Sequence, residues 1–284
     1  MPAVNAWTLS IAGIPVSVRA EGPVNPAHVD ARFGAFARAP WVDDLPGFAL
    51  DVGVEAGWAP PRPVRAEIPG ADVRWLDDAR VELLRAWDLT VLDLRARRAE
   101  SVCGPSVATV PVVDPTALDT PLRFIASLAL PRHEGLLMHA SGYADARGAV
   151  LFLAVSGGGK TTTARKLPHA NVLSDDQVAL RRVAGEWTAF ALPFVGEYRR
   201  ATVPRRAPLR AVVLLAKGEG AALARVPPAA AIASVMRCAV NFAPGPHNAT
   251  LLDLAADLAT RVPVHRLTLD RDAPVAPALD ALLR

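Results

Sequence analysis

The chain has 284 residues and a mass of 30.0 kDa, enough for about two domains at ~150 residues each and for a sizeable buried core. Hydrophobic residues make up 51% and charged residues 21%, which excludes a disordered tail and an acidic solvating segment. A formal charge of +3 with a pI near 9.2 is too small an excess over this length to mark a nucleic-acid partner.

The first hundred residues read as short strands. Phe48, Leu50, Val52 and Val54 alternate with small or polar residues at a period of two, the pattern of a half-buried strand. Further strands are expected at Trp7–Ile11, Val16–Arg19, Val73–Leu76, Val81–Trp87 and Thr90–Leu94, broken by Gly13, Gly22-Pro23, Pro60-Pro61 and Pro69-Gly70. One helix interrupts them at about Val29–Ala37, with Val29, Phe33, Phe36 and Ala37 on one face. After Cys103 the nearly uncharged, proline-punctuated stretch from Gly104 to Pro121 reads as a linker. The expected organisation is a β-rich N-terminal domain over residues 1–117 and a second domain over 118–284.

The second domain opens with a helix capped by Asp119 or Thr120, with Pro121 in its first turn and Leu122, Ile125 and Leu128 buried. A hairpin follows: Leu136–Ala140, a turn at Asp145–Gly148, and the all-apolar Ala149–Val155, a strand buried on both faces. Beyond a short helix at Thr161–Leu167, strands are expected at Asn171–Ser174, Val178–Val183, Trp187–Leu192, Ala211–Ala216 and Val264–Leu269. Helices are expected at Ala229–Val240, Ala249–Thr260 and Val275–Leu283.

Chemistry concentrates where the apolar strand meets Ser156-Gly157-Gly158-Gly159-Lys160-Thr161-Thr162. Strand before and helix after is the setting of a phosphate-cradling Walker A loop. Three glycines let backbone N–H groups wrap a polyphosphate with no side chain in the way, and the helix dipole favours anionic charge at that end. Lys160 would reach the β- and γ-phosphates, and the Thr161 hydroxyl would ligate Mg²⁺. Ala154 stands where the full pattern has its first glycine; the competing reading is a glycine-rich turn that merely links strand to helix.

Further on, Asn171-Val-Leu-Ser-Asp-Asp-Gln177 reads as a short strand ending in paired carboxylates, Asp175 and Asp176. Such a pair could hold Mg²⁺ and take the proton of an attacking hydroxyl, although Asp-Asp is also ordinary turn chemistry. His139 lies on the strand before the loop strand. There it would either approach the nucleotide or be a satisfied core histidine. Glu197, Arg199 and Arg200, followed by Arg205, Arg206 and Arg210, would offset charge on a transferred phosphoryl group or form a solvated basic loop.

At Met138-His139-Ala-Ser, Ser156–Thr162 and Ser174-Asp175-Asp176 the chain resembles the HPr kinase/phosphorylase family and, more distantly, ATP-dependent phosphoenolpyruvate carboxykinases. The resemblance spans roughly Leu118 to Leu269. The E-x-R-G-x-G signature of true HPr kinases is absent, and Pro193-Phe-Val-Gly-Glu-Tyr-Arg-Arg200 stands in its place. The likeness is therefore to HPr-kinase-related proteins rather than to HPr kinase itself. It implies an α/β (α+β) fold with a mixed-sheet P-loop kinase core behind the β-rich domain, and an ATP- and Mg²⁺-dependent kinase with a hydroxyl acceptor. Ser156, Gly157, Gly158, Gly159, Lys160, Thr161 and Thr162 would bind ATP, and Thr161 with Asp176 would hold the metal. Asp175 and Asp176 would divide the base and metal roles, His139 would line the reacting phosphate, and Glu197, Arg199 and Arg200 would contact substrate or phosphate. The acceptor would be a peptide, a protein or a metabolite, helped into place by the N-terminal domain. Relatives are often oligomeric, so a homo-oligomer is expected too. The alternatives are a catalytically weak nucleotide-binding regulator on the same fold, and phosphorolysis or pyrophosphate chemistry in the same site.

Cys103 and Cys238 lack the numbers and companions for a disulfide framework or a metal site and read as buried apolar fillers. No secretory signal and no run of about 18 apolar residues is evident, so a cytoplasmic location without membrane contact is expected. Proline is in surplus at 26 residues, mostly between the expected elements, where it stiffens connections.

Overall fold

The computed structural model describes residues 4–21, 26–39, 43, 45–55, 57–64, 71–104, 116–154, 158–196, 202–219, 221–245, 248–270 and 272–284. Its architecture is mixed α/β, with two mixed sheets and six α-helices among the described residues. It divides into two compact units, Met1–Ala129 with Asn241–Pro246, and Leu130–Val240 with His247–Arg284. No described helix is long and apolar enough to cross a membrane.

The first unit holds β1 (Val4–Ile11), β2 (Ile14–Glu21), α1 (Pro26–Ala37), β3 (Phe48–Val54), β4 (Asp72–Trp75), β5 (Arg80–Leu84), β6 (Asp88–Asp93), β7 (Arg98–Cys103) and α2 (Thr116–Ala129). The strand order is β1-β2-β3-β7-β6-β5-β4, with β3 parallel to both β2 and β7 and the other pairs antiparallel. Helix α1 makes the crossover between parallel strands that a hairpin cannot make. It buries Val29, Phe33 and Phe36, as the spacing predicts, while Ala37 is exposed.

Strand β5 stops at Leu84 rather than continuing to Trp87. Arg85 N donates to the Asp88 carbonyl at 2.8 Å, and the Arg85 guanidinium binds the Asp88 carboxylate, closing a tight turn. Strand β7 escaped sequence reading because its inward positions are Ala99, Ser101 and Cys103. These small residues carry no bulky β signature, and the Ser101 hydroxyl is instead matched by Thr90 Oγ1 at 3.0 Å.

Helix α2 starts at Thr116 with Pro121 inside it, so neither Asp119 nor Thr120 is its cap. Asp119 accepts two hydrogen bonds from Arg32 Nη2, at 3.0 and 2.8 Å. Phe124 of the same helix meets Phe242 edge to face, with centroids 6.3 Å apart. These contacts hold α2 and residues 241–246 in the first unit. The boundary expected near residue 117 therefore moves to the end of the helix, and residues 105–115 of the expected linker lie outside the described residues.

In the second unit a 3-10 turn (Leu130–His133) leads to β8 (Gly135–Asp145), β9 (Gly148–Leu153), α3 (Lys160–Arg165), β10 (Val172–Ser174), β11 (Gln177–Val183) and β12 (Glu186–Phe190). Then come β13 (Arg206–Lys217), β14 (Ala221–Arg225), α4 (Pro228–Cys238), α5 (Asn248–Arg261), β15 (Val264–Leu269) and α6 (Ala276–Leu282). Two long strands change partners midway. Strand β8 pairs with β11 from Gly135 to His139, then with β9 from Ala140 to Asp145. Strand β13 pairs antiparallel with β12 over Arg206–Pro208, then parallel with β9 and β15. Every residue of β9 is buried, as its uninterrupted apolar run requires. Phe152 of β9 joins Val150, Val213, Leu267 and Leu279 in one core.

Part of the arginine run is structural. Arg205 Nη1 donates to the Ala144 carbonyl at 2.9 Å, and Arg210 Nε to the Arg147 carbonyl at 3.2 Å. Both therefore tie β13 to the β8–β9 hairpin. Strand β14, wholly exposed and alanine-rich, had no periodic signal to read.

Truncating Phe152 to Ala is expected to cost about 3–5 kcal/mol in urea denaturation; a loss under ~1 kcal/mol would remove β9 from the core. Burial, with the Asp88 charge adding to it, pushes the Cys103 thiol up to about 11 against an ordinary 9.0. The thiol ionises at lower pH when unfolded than when folded, so its contribution is full below pH 9 and lost as pH rises from 9 to 11. Cys103→Ala should flatten the fall in thermal stability across that window; identical pH profiles would refute this.

Candidate functional site

Strand β9 ends at Leu153, and buried Ala154 follows it. Ser156 and Gly157 lie outside the described residues; Gly158 and Gly159 lead directly into α3. Gly159 adopts φ 99°, ψ 9°, a left-handed conformation that costs a side chain about 1–2 kcal/mol, so glycine here has a backbone reason. Its carbonyl accepts Thr163 N at 2.8 Å. Lys160 is buried, and its Nζ donates to the Ala154 carbonyl at 2.8 Å. The lysine thus folds back on the residue standing for the pattern's first glycine. The contact is to backbone, so alanine serves it as well as glycine. Thr161 is half-buried and Thr162 exposed.

The acidic pair is held by a local turn. Ser174 Oγ accepts the N–H groups of Asp176 and Gln177, each at 3.1 Å, the way a serine organises a turn with its own side chain. Gln177 then opens β11 directly opposite His139, and Ala140 N donates to the Asp176 carbonyl at 2.9 Å. His139 Nδ1 consequently lies 3.2 Å from Asp176 Oδ1, with the two side chains 41% and 27% exposed. Asp175 is only 8% exposed, so Asp176 is the more accessible of the two carboxylates. Among the described residues no group of three or more His, Cys, Asp or Glu could hold a metal ion.

The sheet joins the two halves of the site. Ala140 of β8 pairs with Leu153 of β9, and His139 and Ala154 each lie one residue beyond that pair. Lys160 is anchored on Ala154, and His139 lies beside Asp176. The structure brings His139 and Asp176 together. Glu197, Arg199 and Arg200 lie outside the described residues.

Three features went unread in the sequence. A Cβ on Gly196 would sit 2.6 Å from Asp176 Cβ and 2.7 Å from Asp175 Oδ1, so glycine lets the chain pass directly over the acidic pair. Gln177 Oε1 and Ser141 Oγ are buried and have no hydrogen-bond partner among the described residues. Strand alternation puts both on the His139 face, because Gln177 pairs with His139 and Ser141 lies two residues beyond it. Only the Ser-Asp-Asp-Gln order of the turn hinted at Gln177.

Gly196→Ala is expected to cost about 1–3 kcal/mol by overpacking in urea denaturation. Gly53→Ala, whose Cβ would meet nothing within 4 Å, is the control. A Gly196 variant no less stable than the Gly53 variant would show that the chain does not pass closely over the acidic pair.

No curated protein matches the chain. A protein-family model described as SynChlorMet cassette protein ScmC matches residues 124–273, more than half of the sequence. That span begins inside α2 and runs past β15, taking in His139, Gly159, Lys160 and both aspartates. The chain thus belongs to the ScmC family of SynChlorMet cassette proteins.

Proposed function

We propose that the protein is a Mg²⁺- and ATP-dependent kinase that transfers the γ-phosphate to a hydroxyl of a peptide, protein or small-molecule acceptor. The reading rests on the resemblance to HPr-kinase-related proteins. Its chief structural support is that Lys160 folds back on Ala154, directly after β9, while the His139–Asp176 pair lies directly before the Ala140–Leu153 pairing. A mixed-sheet P-loop kinase core is the finer fold assignment that goes with it.

In this reading Gly158, Gly159 and the first turn of α3 cradle the phosphates, and Lys160 exchanges the Ala154 carbonyl for a phosphate oxygen. Asp176, with His139 at its side, takes the proton of the acceptor hydroxyl. The acceptor oxygen bonds to the γ-phosphorus as the bond to the β-phosphate oxygen breaks, and ADP leaves. The shared proton makes the dyad less negative as charge builds on the phosphoryl group. Hard oxygen donors suit Mg²⁺, which is commonly held by one or two carboxylates plus substrate phosphates. Asp175 and Thr161 would supply them, leaving Asp176 to His139, and the ion would neutralise phosphate charge. No three-residue protein cage is needed for such an ion.

Lys160→Ala should abolish Mg-ATP turnover, and Asp176→Asn should lower phosphoryl transfer about 10²–10⁴-fold while Mg-ATP binding survives. Radiolabelled γ-phosphate transfer and binding calorimetry check both. Unchanged turnover in the lysine variant would remove the site. Tight Mg-ATP binding with neither hydrolysis nor transfer to any acceptor would favour the nucleotide-binding regulator.

A further inference from the structure

A cavity of about 190 Å³ opens beside this site, lined by Leu153 and Ala154 of the β9 end, Leu214 and Leu215 of β13, Arg266 of β15, and Ser234, Arg237 and Cys238 of α4. Strands β9 and β15 both run parallel to β13. The Ala154 wall follows the C-terminal end of β9, the kind of strand end outside which open α/β sheets hold ligands. Ser234, Arg237 and Cys238 share one helix face by their i, i+3, i+4 spacing, and Arg237 Nη2 donates to Ser234 Oγ at 3.1 Å.

The charge balance of this cavity is one-sided. Among the described residues neither Arg237 nor Arg266 forms an ion pair with a carboxylate, whereas Arg147, Arg182 and Arg261 of the same unit do. Lys160 donates to the carbonyl of Ala154, itself a wall residue. Burial pushes the Cys238 thiol up, while the nearby Lys160 and Arg237 charges pull it down. Two guanidinium forks over a leucine floor match an oxyanion attached to an apolar stem. The volume suits a carboxylate or phosphate group with a short stem rather than a whole nucleotide, since ligand-sized pockets run ~300–1,000 Å³.

The cavity is also coupled to the acidic pair. Directly after Cys238, Ala239 bridges to Met138, and Val240 N donates to the Leu137 carbonyl at 2.7 Å. Helix α4 is thereby pinned to β8 immediately before His139. We infer that this cavity is an oxyanion subsite, holding a carboxylate or phosphate of the substrate through Arg237 and Arg266 beside the phosphate loop. The inference rests on the proposed phosphotransfer for its role, but the subsite's existence is measurable without ATP.

Cys238 reports on the cavity from within, and Cys103 of the first unit is the internal control. Modification of each thiol by N-ethylmaleimide is followed by peptide mass spectrometry at constant ionic strength, with malonate or inorganic phosphate against chloride. Both anions are also titrated calorimetrically, which covers a slow thiol. At ~10 times its Kd a bound anion should slow Cys238 about tenfold and leave Cys103 unchanged. Arg237→Gln with Arg266→Gln should abolish both the protection and the calorimetric signal. Absence of binding by either method, or binding intact in the double variant, overturns the subsite. If Mg-AMP-PNP leaves malonate protection additive, the anion belongs to the acceptor; if it competes, the anion is a nucleotide phosphate, and both results uphold the subsite. Anion binding that persists while Lys160→Ala leaves ATP turnover unchanged would discard the kinase reading and keep the cavity.

Discussion

Strand β8 leaves one partner and takes another between His139 and Ala140, and the second unit is arranged around that change. His139 is the last residue paired with β11, and Ala140 is the first paired with β9. The Asp176 carbonyl accepts Ala140 N, so the acidic turn is fastened to β8 at that change. Strand β13 makes the matching change at the far side of β9. Strand β9 is consequently enclosed by neighbours, which explains why it carries no polar residue.

The placement of His139 beside Asp176 is a product of pairing register rather than of local sequence. Moving β11 by one residue would turn Gln177 and its partners to the opposite face. The Ser174 turn and the glycine at 196 protect that register from two sides, one by hydrogen bonds and the other by leaving no room for a shifted pair. Lys160 adds a third restraint, since its hydrogen bond ties the start of α3 to the end of β9.

Legibility in the sequence followed signal strength. The buried strand, the acidic turn and most of the helices had strong local patterns and lie where those patterns put them. Strands β7 and β14 did not, because small inward residues in one and full exposure in the other leave no alternation to read. The start of α2 was misplaced because Pro121 looked like a first-turn residue, whereas the helix extends upstream and uses Asp119 to hold Arg32. The unit boundary moved with it. Arg237 and Arg266 were invisible as a pair because a helix and a strand about thirty residues apart supply them, and only β13 brings β15 alongside β9.

The orphaned oxygens of Ser141 and Gln177 have an energetic consequence for β8. Each buried polar atom without a partner costs the folded state about 1–3 kcal/mol. Both lie on the His139 face of the strand, so that face carries a cost of desolvation rather than of bent bonds.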